Sequence, residues 1–348
     1  MKPEKIKLFL HIGQPKTGTS AIQSFLNHNR KLLFESYNTL YPNFNQKDFV
    51  TGRQHNHASF FHLAKKNDKI DECLNTLTTC HQFCIEKGIQ NLVISNEGFF
   101  WRWWPEVMKV FTQNVNIDIV IILYLRRQDK YLEAAWKQWG HKHPDCDSIL
   151  DFAGVVNLDW FQTIQPWQQL FDSSVFKIRP YEKNVIGNDV VLDFMKLIGI
   201  SDLSLCSSPP VTNENGNHGL SKDIIEILRL SKNLVKNQND HHLLDFMHKM
   251  LSASAKKEPL NDYGILSPVE RLKIINKYSA SNKKLSNVFF GISDKPLFRE
   301  ALPDITAEWE SDIGLTVEKI IPVFMEIFIK QQQEIERINK QLKLLKPI

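Results

Sequence analysis

The sequence predicts an α/β protein: a central parallel β-sheet flanked by helices, followed by a helical C-terminal part. Three observations carry this. Short, nearly continuous apolar runs at residues 7–12, 91–95, 117–125 and 175–179 read as strands buried on both faces. Helical segments separate these runs, as crossovers between parallel strands require. The first run also feeds a glycine-bounded loop and then a helix.

Taken in order, KLFLHI (Lys7 to Ile12) is the first strand, and it meets Gly13-Gln14-Pro15-Lys16-Thr17-Gly18-Thr19-Ser20. A helix follows, with Ile22, Phe25 and Leu26 at helical spacing. Cys73, Cys80 and Cys84 fall at i, i+7 and i+11, one helical face, and read as small buried hydrophobes. His81 points elsewhere on that helix, so no metal site is expected there. NLVIS (Asn91 to Ser95) is closed by Asn96-Glu97-Gly98, and IDIVIILYL (Ile117 to Leu125) runs directly into Arg126-Arg127 and a helix. VFKIR (Val175 to Arg179) is the fourth strand.

A Ser/Pro/Asn-rich stretch from Ser201 to Gly219 breaks this pattern. It divides an α/β core, residues 1–205, from a mainly helical region, residues 206–348, packed on the core as one continuous domain. Helices are expected over Leu220 to Val235, with a Ser221 cap signal, and near 241–252 and 268–285. Residues 317–344 have amphipathic spacing, interrupted by Pro322. Their polar end, KQQQEIERINKQLKLLK, suits projection from the body or support of a partner helix, so self-association is expected through it.

Of the 348 residues, 42% are hydrophobic and 24% charged, the balance of an ordinary soluble globular chain. A formal charge of +4 permits a local anion pocket but lacks the long basic tracts of a nucleic-acid binder. Cys73, Cys80, Cys84, Cys146 and Cys206 are odd in number and without disulfide-like spacing, which suits a reducing compartment. The charged start precedes an apolar stretch too short for a signal peptide, and the run at 117–125 is too short to span a bilayer. The expectation is a cytoplasmic protein.

The loop departs from the ATP-binding pattern G-x4-G-K-[ST] at one decisive place. Thr19 stands where the lysine should follow the second glycine, and the loop's lysine, Lys16, lies inside it. Gly13 and Gly18 still permit the turn, and the helix N-terminus still offers about half a positive charge to an anion. Thr17, Thr19 and Ser20 add hydroxyls. This is a phosphate cradle with a mobile ammonium and no evident magnesium seat.

LHIGQPKTGTSAIQSFL (Leu10 to Leu26) closely resembles the 5′-phosphosulfate loop of sulfotransferases that use 3′-phosphoadenosine 5′-phosphosulfate (PAPS), especially the bacterial family with HIG-x-x-KTGTT. VIILYLRRQDKYLEAAWKQ (Val120 to Gln138) resembles that family's 3′-phosphate block, a strand ending in Arg with Ser eight residues on. Arg126 matches the arginine, whereas Ala134 stands at the serine position, with Arg127 or Lys130 in reach to compensate. Weaker similarity continues through VISNEGF, VFKIRPYEK and NHGLSKDIIEIL, about the first 230 residues in all. The resemblance implies a P-loop-like sulfotransferase fold, PAPS as co-substrate, adenosine 3′,5′-bisphosphate (PAP) as product, and no required metal. Lys16 would then neutralise charge developing on the oxygen that bridges sulfur to the leaving phosphate.

Transfer also needs a base for the acceptor's proton. Glu97, just after the second strand, is the first candidate, and His57 is the competitor. Arg53 and His55, in GRQHNHASFF, suit an active-site rim. In Phe99-Phe100-Trp101-Arg102-Trp103-Trp104 the aromatics, Trp101 above all, could stack on a sugar or aromatic acceptor, with Arg102 for an anionic group, or could simply pack. Carbohydrate is the acceptor the family implies. Two other readings stay open: a small-molecule kinase on a P-loop fold, and a degenerate module that binds PAPS without turnover.

Overall fold

The computed structural model describes residues 5–54, 56–100, 104–187, 189–209, 221–236, 240, 242–251, 264–291, 296–309 and 315–345. The chain forms two compact units. The first comprises Met1–Arg127, Asp159–Pro210 and Asn276–Ala301, and the second Gln128–Leu158, Val211–Ile275 and Leu302–Ile348.

The first unit holds an all-parallel sheet of five strands: β1 (Ile6–His11), β2 (Thr39–Leu40), β3 (Asn91–Ser95), β4 (Ile117–Leu125) and β5 (Phe176–Pro180), in the order β2-β3-β1-β4-β5. β1 pairs with β3 from Lys7 opposite Asn91, and with β4 from Ile6 opposite Ile117. The four apolar runs are these strands, to within a residue at each end. The sequence reading lacked β2, a two-residue edge strand entered through Asn38 in left-handed conformation at φ 48°.

Strand side chains alternate between two covered faces. Phe9, Val93, Ile122 and Tyr124 pack with Ile22, Phe25 and Leu26 of α1 (Thr19–His28), Leu33 of α2 (Arg30–Tyr37), and Phe194 and Met195 of a helix at Val190–Leu197. On the other face, α4 (Ile70–Lys87) meets β1 and α5 (Pro105–Asn114) meets β4. A short α3 (Ala58–Lys66) precedes α4. Cys73, Cys80 and Cys84 are buried and unpaired along α4, as their spacing predicts.

In this strand order β1 and β4 are neighbours, but the chain leaves them toward opposite edges of the sheet. Ligands of open parallel sheets bind at such a reversal, outside the carboxyl ends of the strands. The loop after β1 and the arginine after β4 therefore meet there.

The second unit is helical among the described residues. It includes α6 (Gln128–Gln138), α7 (Ile149–Val155) and helices at Lys222–Leu230 and His242–Met250. Ser221 caps the third of these by accepting from the Ile224 amide at 3.3 Å. Arg271 ties this unit together from the buried side, donating to Asp129 at 3.2 Å and to Glu133 at 2.6 Å. The last helix, Val317–Leu345, is continuous through Pro322, contrary to the expected interruption. Pro322 is exposed near the helix start, where water can satisfy the carbonyl that loses its amide partner. Among the described residues no helix is long and apolar enough to cross a membrane.

Candidate active site

The loop from Gly13 to Gly18 is shaped by backbone positions that tolerate little else. Gly18 sits at φ 80° and caps α1, and a Cβ there would lie 2.7 Å from Val190 Cγ1. A Cβ on Gly13 would lie 2.5 Å from Thr19 Cγ2 and 2.9 Å from His11 Nε2. Between them Lys16 takes φ 68°, a left-handed conformation unfavourable for an L-residue.

Three charged groups from three strand ends converge here. Burial lowers the Lys16 pKa, the nearby Glu97 carboxylate pushes it back up, and the Arg126 guanidinium lowers it again. Two cations thus face one carboxylate beside the positive end of α1, a net positive site suited to an anion. Glu97 opens a 3-10 turn after β3 and accepts a hydrogen bond from the Thr19 hydroxyl. Arg126 donates from its guanidinium to the Lys16 carbonyl at 3.1 Å, and its own carbonyl accepts from Trp160 Nε1 at 3.0 Å.

Two further residues belong to this site, and sequence reasoning missed both. Gln14 is fully buried, and its Oε1 accepts from the Arg126 amide at 2.7 Å, joining the loop to the end of β4. Its Nε2 is buried without a hydrogen-bond partner. Tyr181, after β5, lies under the Arg126 guanidinium at 6.0 Å and near Gly18. The family-like segment VFKIRPYEK was the available signal for Tyr181; Gln14 had none.

Beneath the loop, His11 Nδ1 is 2.9 Å from Ser95 Oγ, which accepts from Gln23 Nε2 at 3.1 Å. Burial holds His11 neutral, with a pKa of about 3. This layer links the ends of β1 and β3 to α1 and fixes Glu97, two residues beyond Ser95.

The remaining sequence candidates distribute as follows. His57 is corrected as a base: it is fully buried, Nε2 lies 2.9 Å from the Pro42 carbonyl, and Nδ1 accepts from the Ser95 amide at 3.1 Å. Burial, its largest influence, pushes its pKa to about 3, so no ring nitrogen is left to take a proton. Thr17 is also buried, and its hydroxyl donates to the Gln14 carbonyl at 2.6 Å, holding the loop rather than facing outward. Ser20 is exposed on the first turn of α1. Arg53 is exposed, and the carbonyls on either side of it, Gly52 and Gln54, accept from the buried Arg30 at 2.9 and 2.6 Å. The Gln54 amide reaches Asn27, so Arg53 stands about 12 Å along α1 from the loop.

Of the aromatic run, Phe99, Phe100 and Trp104 are core residues, 0%, 1% and 5% exposed. Trp101, Arg102 and His55 lie outside the described residues. Arg127 donates to the carbonyls of Glu300 and Ala301 at 3.3 and 3.0 Å, so it holds that segment. Lys130 and Ala134 lie on α6, in the second unit. A cavity of about 550 Å³ is lined by Ala58, Ser59, His62, Lys65, Trp104 and the two neighbours of Glu97 in the chain, Asn96 and Gly98.

No family model matches the chain, and no solved structure matches it. An uncharacterized protein of Archaeoglobus fulgidus is 26% identical over 212 residues, covering 60% of this chain and 56% of that protein. The chain therefore spans little more than half the length of that relative.

Proposed function

We propose that this chain is a PAPS-dependent sulfotransferase acting on an acceptor hydroxyl or amine. The single observation behind this reading is the convergence of Lys16 and Arg126 on a glycine-bounded loop at the start of α1, with Glu97 beside them. Thr19 spends its hydroxyl on Glu97 and occupies the place of an ATP loop's lysine, which weighs against the kinase reading.

The residues present fit a nucleotide phosphosulfate. Gly13 and Gly18 keep the loop tight, since a Cβ would meet Thr19 and His11 at the first and Val190 at the second; Gln14 Nε2 is a buried donor without a partner, and the first amides of α1 lack an intrahelical acceptor. PAPS would supply an activated sulfuryl group. Lys16 holds the anion and neutralises charge that grows on the bridging oxygen, while Arg126 binds phosphate. Glu97 takes the proton of the acceptor. Its carboxylate keeps Thr19 as a hydrogen-bond donor, so it is oriented before an acceptor enters. The cavity that reaches Asn96 and Gly98, on either side of Glu97 in the chain, is the proposed approach for the acceptor, and a glycan is the proposed class.

Labelled PAPS offered with glycan, lipid and phenolic acceptors tests this reading. Turnover should appear with at least one class and fall about 10²–10⁴-fold in Glu97→Gln, while PAP binding is kept. Full activity in Glu97→Gln would remove Glu97 as the base. Binding of PAP without transfer to any class would favour the degenerate module.

A further inference from the structure

The longest described helix, Val317–Leu345, carries an apolar seam that its own unit does not cover. Val317, Ile321, Phe324, Phe328, Ile335, Ile338 and Leu342 are each 43–64% exposed. With Gln331 between Phe328 and Ile335, their intervals are 4-3-4-3-4-3-4 residues. That period of 3.5, kept from 317 to 342, is the heptad repeat of a left-handed coiled coil. Met325, 51% exposed, widens the same seam. A neighbouring flank, where Ile327 is buried, belongs to the unit's own packing, and the helix meets the His242–Met250 helix.

We propose that this helix is one strand of a parallel, in-register, two-stranded coiled coil formed with a second copy of this chain. Area is the first argument. The eight exposed apolar side chains offer roughly 90 Å² each, about 700 Å² per helix, close to the ~800 Å² per partner of a stable interface. Gln331 is the second. It occupies a core position of the heptad, and a polar side chain there selects a register that gives it a partner. In a parallel pair it meets the second copy's identical glutamine. In an antiparallel pair it would face Phe328 or Ile335, and against lipid it would face acyl chains. Compatibility of the flanks is the third. Gln332, Glu334, Asn339 and Gln341 flank the seam's second half with a single charge, so two identical helices meet there with little repulsion.

The seam residues are exposed, so they can be changed without disturbing the fold, and the inference does not depend on the sulfotransferase reading. Sedimentation velocity of the full chain over a wide concentration range should give a dimer. Ile335→Glu combined with Leu342→Glu should raise the dimer dissociation constant by about 100-fold or more, leaving a folded monomer with the parent's far-UV circular dichroism. Register is read with Ile338→Cys in a Cys206→Ser background, the other four native thiols being buried. Mild oxidation should join two chains through that residue. A monomer at every concentration overturns the proposal, as does a dimer that survives the double glutamate variant. A dimer that Ile338→Cys fails to cross-link overturns the parallel register. A monomer that sediments with phosphatidylcholine–phosphatidylserine vesicles, and loses this in the double variant, assigns the seam to a lipid surface instead.

Discussion

Replacing Lys16 with glycine should separate stability from activity. Lys16 holds φ 68°, where an L-residue is disfavoured by about 1–2 kcal/mol and glycine is not. Glycine also enlarges the freedom of the unfolded chain, which offsets about 0.5–1 kcal/mol of that gain. The two nearby charges act in opposite senses: removal of the ammonium relieves Arg126 and deprives Glu97. The variant should therefore be as stable as the parent or up to about 1.5 kcal/mol more stable. Turnover should fall about 10²–10³-fold, the usual loss for one preorganised donor at a developing charge. Lys16→Ala should lose as much activity without the gain, because alanine keeps the left-handed penalty. Urea unfolding, with unchanged m values, reads the stability side, and labelled PAPS reads the other. Destabilisation of Lys16→Gly by more than about 2 kcal/mol would mean that the ammonium holds the fold, and retained turnover would remove it from the chemistry.

Two further predictions concern buried groups around the site. Burial lowers the pKa values of His11 and His57 to about 3, against 6.5 in an unfolded chain, so between these values the unfolded state binds the extra protons as pH falls. Stability should be complete above pH 6.5 and decline toward pH 3, each histidine adding up to about a tenfold change in the folding equilibrium per pH unit. Urea midpoints at pH 7 and pH 5 that coincide would contradict this, as would an imidazole signal of His57 that titrates near neutrality. Arg30 is buried, and its three nitrogens donate to the carbonyls of Tyr41, Gly52 and Gln54 at 2.8, 2.9 and 2.6 Å. Arg30→Lys should cost about 3 kcal/mol or more, since an ammonium cannot span that fork, and a melting temperature close to the parent's would refute it.

Legibility from sequence followed physical scale. The four long strands are nearly continuous apolar runs, the pattern of strands covered on both faces. β2 escaped because a two-residue edge strand has no periodicity to detect. Lys16, Glu97 and Arg126 could be placed together because each follows the carboxyl end of a strand, and in a parallel sheet those ends share one edge. Distance within that edge could not be read, so the Thr19–Glu97 and Gln14–Arg126 bonds appear only in three dimensions. His57 misled for a related reason. GRQHNH has the composition of an exposed loop, yet Tyr41 and Phe44 close over the ring at 4.5 and 5.0 Å. The aromatic stretch could serve either core or ligand, and for Phe99, Phe100 and Trp104 packing decides for the core.

Calorimetric titration of the chain with PAP, in chelator and again with magnesium, tests the anion cradle at Gly13 to Gly18 most directly. One site per chain should bind equally well in both conditions and weaken at least about tenfold in Lys16→Gly and in Arg126→Ala. Absence of binding, a requirement for magnesium, or equal affinity in both variants would contradict the assignment of this loop.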